Sequence, residues 1–177
     1  MYISAQKRKE NIAEYILYMW QVEDLIRAYN LDVEEIDKNV VQRFEQPDHI
    51  KREIRNWYEG LINLMKEEGK VESGHLQFVL NTLNDLNDLH LFLIKSPDHL
   101  DYIDSYNNAK EGITELMNKS KGAIDNEVEA CFNGLYGLLM LRLQQRTISP
   151  ETISAMAAVS KLVALLANKN KLAEEGK

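Results

Sequence analysis

Apolar residues recur at steps of three and four along almost the whole chain, the spacing that lines one face of an α-helix. Seven helices follow from this pattern and from the polar residues that interrupt it. The first runs from about Ser4 to Tyr29, on a stripe of Ile12, Tyr15, Met19, Val22, Ile26 and Tyr29. The second starts at Asp32, which forms a capping-box-like pair with Glu35, and ends near Phe44. Pro47, Pro97 and Pro150 each stand where a helix's first residue belongs, since proline has no N–H to leave unpaired there and its fixed φ suits the turn. The acid after each proline, Asp48, Asp98 or Glu151, faces the positive end of the helix dipole. These prolines start the third, fifth and seventh helices. The third ends at about Glu68 before Gly69, and the fourth runs from Ser73 or Gly74 to about Lys95. The fifth ends near Lys119, the sixth spans about Asp125 to Gln145, and the seventh reaches about Lys171.

The even spacing of the prolines prompts a search for a repeat. Pro47-Asp48-His49-Ile50 recurs as Pro97-Asp98-His99-Leu100. Further on, Glu59-Gly60-Leu61 recurs as Glu111-Gly112-Ile113, and Asn81-Thr82-Leu83 as Asn133-Gly134-Leu135. The fold expected is therefore all-α, about seven helices arranged as antiparallel αα-hairpins in a bundle or short array. Within a single domain spanning 1–177, residues 1–46 form an N-terminal helix pair. Residues 47–96 and 97–148 form the two related hairpins, 149–172 a closing helix, and 173–177 a frayed tail.

The helices differ in how much of their surface needs cover. The fifth carries Asp101, Asp104, Ser105, Asn107 and Asn108, so only Ile103, Tyr106, Ile113 and Leu116 can face inward, and it is expected on the outside. The sixth, from Phe132 through Leu143, is apolar nearly all round, as is the seventh, and such helices belong at a bundle's centre or in an oligomer interface. Small residues on the seventh would let a second backbone approach. A symmetric homodimer through the helix that carries Met156, Ala157 and Val163 is the expected assembly.

Composition agrees with helix: 177 residues include 8 glycines and 3 prolines, too few for a many-stranded sandwich. Twenty-one basic residues against 28 acidic ones give a net charge of −7, with the basic residues scattered, so nucleic acid is not an expected partner. Lys7, Arg8 and Lys9 read as a solvated first turn, because Glu14, Glu23 and Asp24 interrupt any apolar region that would make a secretory signal. The weakly charged stretch from Thr152 to Ala167 contains Lys161 and falls short of the ~20 residues that span a bilayer, so no membrane partner is expected. The single cysteine, Cys131, lies in an apolar run and reads as a buried, inert thiol. A cytoplasmic location follows from these features.

Few residues suggest chemistry. Phosphate loops, paired-cysteine zinc patterns and nucleophile elbows are missing from the sequence. Glu72-Ser73-Gly74-His75 has the Glu-x-x-His spacing of di-metal bundles but no second copy, and it falls at a helix start where the two cannot share a face. Asn81, Asn84, Asp85 and Asp88 share one helix face; Asp85 and Asp88 are the weak candidates for holding a cation, although the pattern fits a solvated face better. No cofactor is expected. More informative are three polar residues on apolar faces: Glu23, His90 and Arg142. Each needs company if buried. Glu23 can pair with Arg27, one turn on, or with Arg142 across the helices, the arrangement favoured here. The trio, with Tyr15 or Tyr18, either lines a pocket for a small polar ligand or forms an internal network that fixes helix docking. No nucleophile or metal set accompanies it, which favours the network.

Tyr18-Met19-Trp20-Gln21 with Glu23-Asp24-Leu25-Ile26-Arg27, and Leu141-Arg142-Leu143 leading to Ile148-Ser149-Pro150-Glu151-Thr152, resemble a small family of uncharacterised helical proteins from Bacteroides-type bacteria, classed as a domain of unknown function. The resemblance covers nearly the whole chain. It implies an intracellular bacterial protein of all-helical fold, and neither an activity nor functional residues come with it. The expected role is that of a non-enzymatic helical interaction or scaffold protein. The competing expectation is a ligand-binding or metal-dependent all-α enzyme that acts on a phosphorylated or diphosphate compound through the acids of the fourth helix.

Overall fold

The computed structural model describes residues 2–176, and among these it contains eight α-helices and no strand. They are α1 (Tyr2–Glu10), α2 (Ile12–Ala28), α3 (Val33–Asn39), α4 (Asp48–Glu67), α5 (Gln77–Leu93), α6 (Leu100–Lys119), α7 (Glu127–Leu143) and α8 (Pro150–Glu174), with one 3-10 turn at Val41–Arg43. The all-helical class read from periodicity is the class observed. The extra helix arises at Asn11, whose Oδ1 accepts the Ala13 amide at 3.0 Å and so starts α2 afresh.

Capping explains most of the other ends. Asp32 caps α3 by accepting the amides of Glu34 and Glu35, and Ser149 caps α8 through the Thr152 amide. The three proline starts diverge, however. Pro150 occupies the first turn of α8 as expected, Pro47 is the residue before α4, and Pro97 lies in a turn that delays α6 until Leu100, behind His99. The related tetrapeptides therefore open their helices differently. Helix lengths nonetheless match across the two hairpin segments: α4 and α6 have 20 residues each, α5 and α7 have 17 each.

Two compact units divide the chain. One comprises residues up to Glu10 with Glu14–Asn81, the other Asn11–Ala13 with Thr82 onward, so the dividing point falls inside α5 rather than between the hairpin segments. In the first unit, α3 packs on α4 and the 3-10 turn. Ile36, Val41, Met65 and the α2 residues Ile16, Trp20 and Ile26 are buried. α2 ends without glycine: Asn30 and Leu31 both take positive φ, and Leu31 N–H reaches back to the Ile26 carbonyl.

In the second unit, α6, α7 and α8 pack on one another, and the most extensive pairing joins α6 to α8, with α7 set against both. Here α6 departs from expectation. Its Asp101, Asp104, Asn107 and Asn108 face solvent as expected, but Ser105 does not, and the buried stripe is Tyr102, Ser105, Ala109 and Ile113, which shares only Ile113 with the predicted one. Ser105 and Ala109 are small, and at Gly112 a Cβ would already lie 3.6 Å from Ala155 and Val159, so α8 sits close against α6 there. α8 buries Met156, Val159, Leu162, Val163, Leu166 and Ala167. By length and composition α8 is the one helix among the described residues able to cross a bilayer, a test that a core helix also passes. The first half of α7 is buried at Cys131 and Phe132, whereas its end emerges into solvent at Leu141 and Leu143. The apolar circumference of α7 is thus only partly used for the core.

Glycine positions test the helix assignments. Gly69 ends α4 at φ +67, and Gly69→Ala should cost about 1 kcal/mol, since a Cβ is strained there. Gly60 lies mid-helix with open space where a Cβ would go, so Gly60→Ala should add about 1 kcal/mol from helix propensity. Urea unfolding of the two variants, read against wild type, should give opposite signs.

Candidate functional site

The first amides of any helix have no partner within it, and α5 meets this need with carboxylates from elsewhere in the chain. Glu68 Oε2 accepts the Gln77 amide at 2.7 Å, and Glu23 Oε1, 53 residues away on α2, accepts the Leu76 amide at 2.9 Å. The second oxygen of Glu23 lies 2.6 Å from His75 Nδ1. Glu23 is fully buried, while the His75 side chain keeps 23% of its surface in solvent. Trp20, one turn before Glu23 on the same face, stacks flat on the His75 ring at 4.1 Å and 10°. Four features thus hold this carboxylate inside: a backbone N–H, an imidazole N–H, the positive end of α5 and an aromatic lid on the imidazole.

Arg27 completes the arrangement from the next turn of α2. Its guanidinium donates to the Lys70 and Gly74 carbonyls and pairs with Asp24, which fastens the 68–76 connection to α2. Tyr15 lies near enough for Glu23 to add to the rise in its phenol pKa that burial chiefly causes. Tyr18 stands apart, raised by burial and facing the Lys7 ammonium.

A second cluster lies inside the other unit. His90 on α5 is 1% exposed, with Nδ1 at 2.7 Å from the Tyr102 hydroxyl and Nε2 at 3.3 Å from Glu127 Oε2. Tyr106 donates to Glu127 Oε1 at 3.2 Å. An ionised Glu127 can only accept, so Nε2 carries the proton and Nδ1 accepts from Tyr102. Burial lowers the His90 pKa below the ordinary imidazole value, with Glu127 partly opposing, and burial also raises the Tyr102 phenol. Cys131 nearby is pushed up to about 12 by burial, so its thiol stays protonated. The adjoining cavity is only about 10 Å³ and its walls include Ile113, Leu162 and Leu166, which leaves room for about one water.

The structure therefore separates the residues that the pattern grouped. Glu23 and His90 are buried in different units, each with its own partners. Arg142 is exposed on α7 and is not the partner of Glu23. The expectation failed because the Arg142 stripe was extended to a helix end that leaves the core. Asp85 and Asp88 are exposed, and among the described residues no group of three or more His, Cys, Asp or Glu is placed to hold a metal. Met156 and Val163, expected in a dimer contact, are interior residues of the second unit; Ala157 remains exposed.

Sequence reasoning missed His75, Glu127, Tyr102 and Tyr106. His75 was weighed only as a metal ligand, although a histidine just before a helix start is placed to reach a neighbouring helix. Tyr102 and Tyr106 stand four apart on one face of α6, which places one hydroxyl on His90 and the other on Glu127 at the start of α7.

The profile of DUF4924, described as a domain of unknown function, matches residues 1–177. The chain belongs to that family. No curated protein and no solved structure matches it. For this DUF4924 chain the two clusters are the best-built polar sites, and in both the polar atoms are turned on one another rather than on open space.

The buried carboxylate gives a direct test. Glu23→Ala should cost about 3 kcal/mol, and Glu23→Ala with His75→Ala should cost less than the sum of the single changes, because the two share one interaction. Arg142→Ala should fall within about 0.5 kcal/mol of wild type. Chemical denaturation of the four variants decides; additive Glu23 and His75 effects would reject the pairing.

Proposed function

We propose that this DUF4924 protein is a non-enzymatic, cytoplasmic interaction module that works as a homodimer, of bacterial origin as the resemblance implies. The observation that carries the reading is an apolar groove of about 360 Å³ beside α6, α7 and the start of α8, lined by Leu116, Ile124, Gly134, Leu138 and Leu141 among others. Beyond it, Leu143 is 66% and Ile153 46% exposed. Apolar surface gathered in this way favours association, and a second copy supplies an identical face about a two-fold axis. The interface is accordingly centred on the end of α7 and the first turn of α8, with Met156 at the edge of the groove and Val163 outside it.

Two further points support a binding role over catalysis. Buried Glu23 and buried His90 are each satisfied by their half-buried partners, and the cavity beside His90 is too small for a substrate. Light scattering should give twice the 20.5 kDa chain mass. Leu143→Glu with Ile153→Glu should return a monomer that keeps its helical content and whose melting temperature no longer depends on protein concentration. A wild type that stays monomeric at roughly 100 µM would overturn the dimer.

A further inference from the structure

The His90 cluster joins three helices through one imidazole: α5 supplies His90, α6 supplies Tyr102 and Tyr106, and α7 supplies Glu127. Every donor has an acceptor in one arrangement only. Tyr102 O–H points to Nδ1, Nε2–H points to one Glu127 oxygen, and Tyr106 O–H points to the other. A second proton on the ring would sit on Nδ1 and point at the Tyr102 oxygen. The Tyr102 hydroxyl hydrogen would then need another acceptor, and Tyr102 is fully buried. The wall beside it consists of Ile113, Val128, Cys131, Leu162, Val163 and Leu166, around a space for about one water.

We infer that the Tyr102–His90–Glu127 relay is an acid-sensitive latch: a proton added to His90 breaks its contact with Tyr102 and parts α5 from α6 at their shared corner, while the ring stays held by Glu127 of α7. The titratable groups facing His90 are Tyr102 and Tyr106 on α6 and Glu127 and Cys131 on α7; the α8 residues facing it are apolar. Of these, Glu127 favours the protonated ring, while burial opposes it more strongly. A histidine whose folded value is lowered gives stability that is present above the ordinary imidazole value of 6.5 and is lost as pH falls below it. The corner that would be released carries Leu91, Phe92 and Leu100, already 41%, 60% and 65% exposed, so opening enlarges an existing apolar surface.

Imidazole nitrogen NMR on the full chain should show His90 as the Nε2–H tautomer, titrating below 6.5. Hydrogen exchange, corrected for intrinsic rates, should show protection across Leu91–Tyr106 falling roughly tenfold as pH passes that midpoint. Glu127→Gln should move the midpoint lower, because it removes the charge that favours protonation. Tyr102→Phe should weaken the coupling between titration and protection, because the displaced hydroxyl is gone. An Nδ1–H tautomer, a midpoint at or above 6.5, or an unshifted midpoint in Glu127→Gln would overturn the latch. So would the same acid loss of protection in His90→Gln; if that variant fails to fold, the wild-type tautomer and the Glu127→Gln shift still decide.

Discussion

A carboxylate taken wholly out of water has to recover several kcal/mol of lost hydration from its surroundings, and much of the first unit is arranged around meeting that need for Glu23. The Leu76 amide, the His75 imidazole and the start of α5 all converge on it, and each comes from the segment that ends the 68–76 connection. The connection is held at its other points by Arg27, whose guanidinium takes the Lys70 and Gly74 carbonyls. A nine-residue link that would otherwise move freely is thus fixed at both ends to α2. The position at which α5 begins is set by this side chain as much as by local helix preference.

The second unit uses the same two residue types with their exposure reversed. Glu23 is hidden and its histidine partly wet; His90 is hidden and its glutamate, Glu127, keeps 38% of its side-chain surface in solvent. The reversal changes the electrostatics. A hidden acid must find donors, and the backbone amides at a helix start are the cheapest source. A hidden base can remain neutral, so His90 needs only one acceptor and one donor, which Glu127 and Tyr102 provide. In both places one turn of helix delivers the histidine or its carboxylate, so the clusters fix helix register as well as charge.

Much of this was legible in the sequence. The helical class, most boundaries and the inward position of Glu23 and His90 followed from periodicity, because a polar residue within an apolar stripe is conspicuous. Partners were harder to read. A stripe says that a residue faces inward but not which distant segment meets it, and His75 precedes its helix where periodicity carries no information. Arg142 failed for a related reason: a helix projects the same pattern whether its end lies in the core or beyond it, and α7 outruns the core by about one turn. On α6 the buried stripe differs from the predicted one because Ser105 and Ala109 look like surface residues although both are buried, and Gly112, which carries no hydrophobic signal, is where α8 comes close.

Cys131 is the chain's single sulfhydryl, 2% exposed and held protonated at neutral pH by its apolar setting on α7. A thiol so placed is silent to alkylating reagents while the helices stay closed and becomes reactive once they part. The molecule therefore carries its own gauge of breathing, and the labelling rate at one atom reports how often the second unit opens without any dye or tag being added.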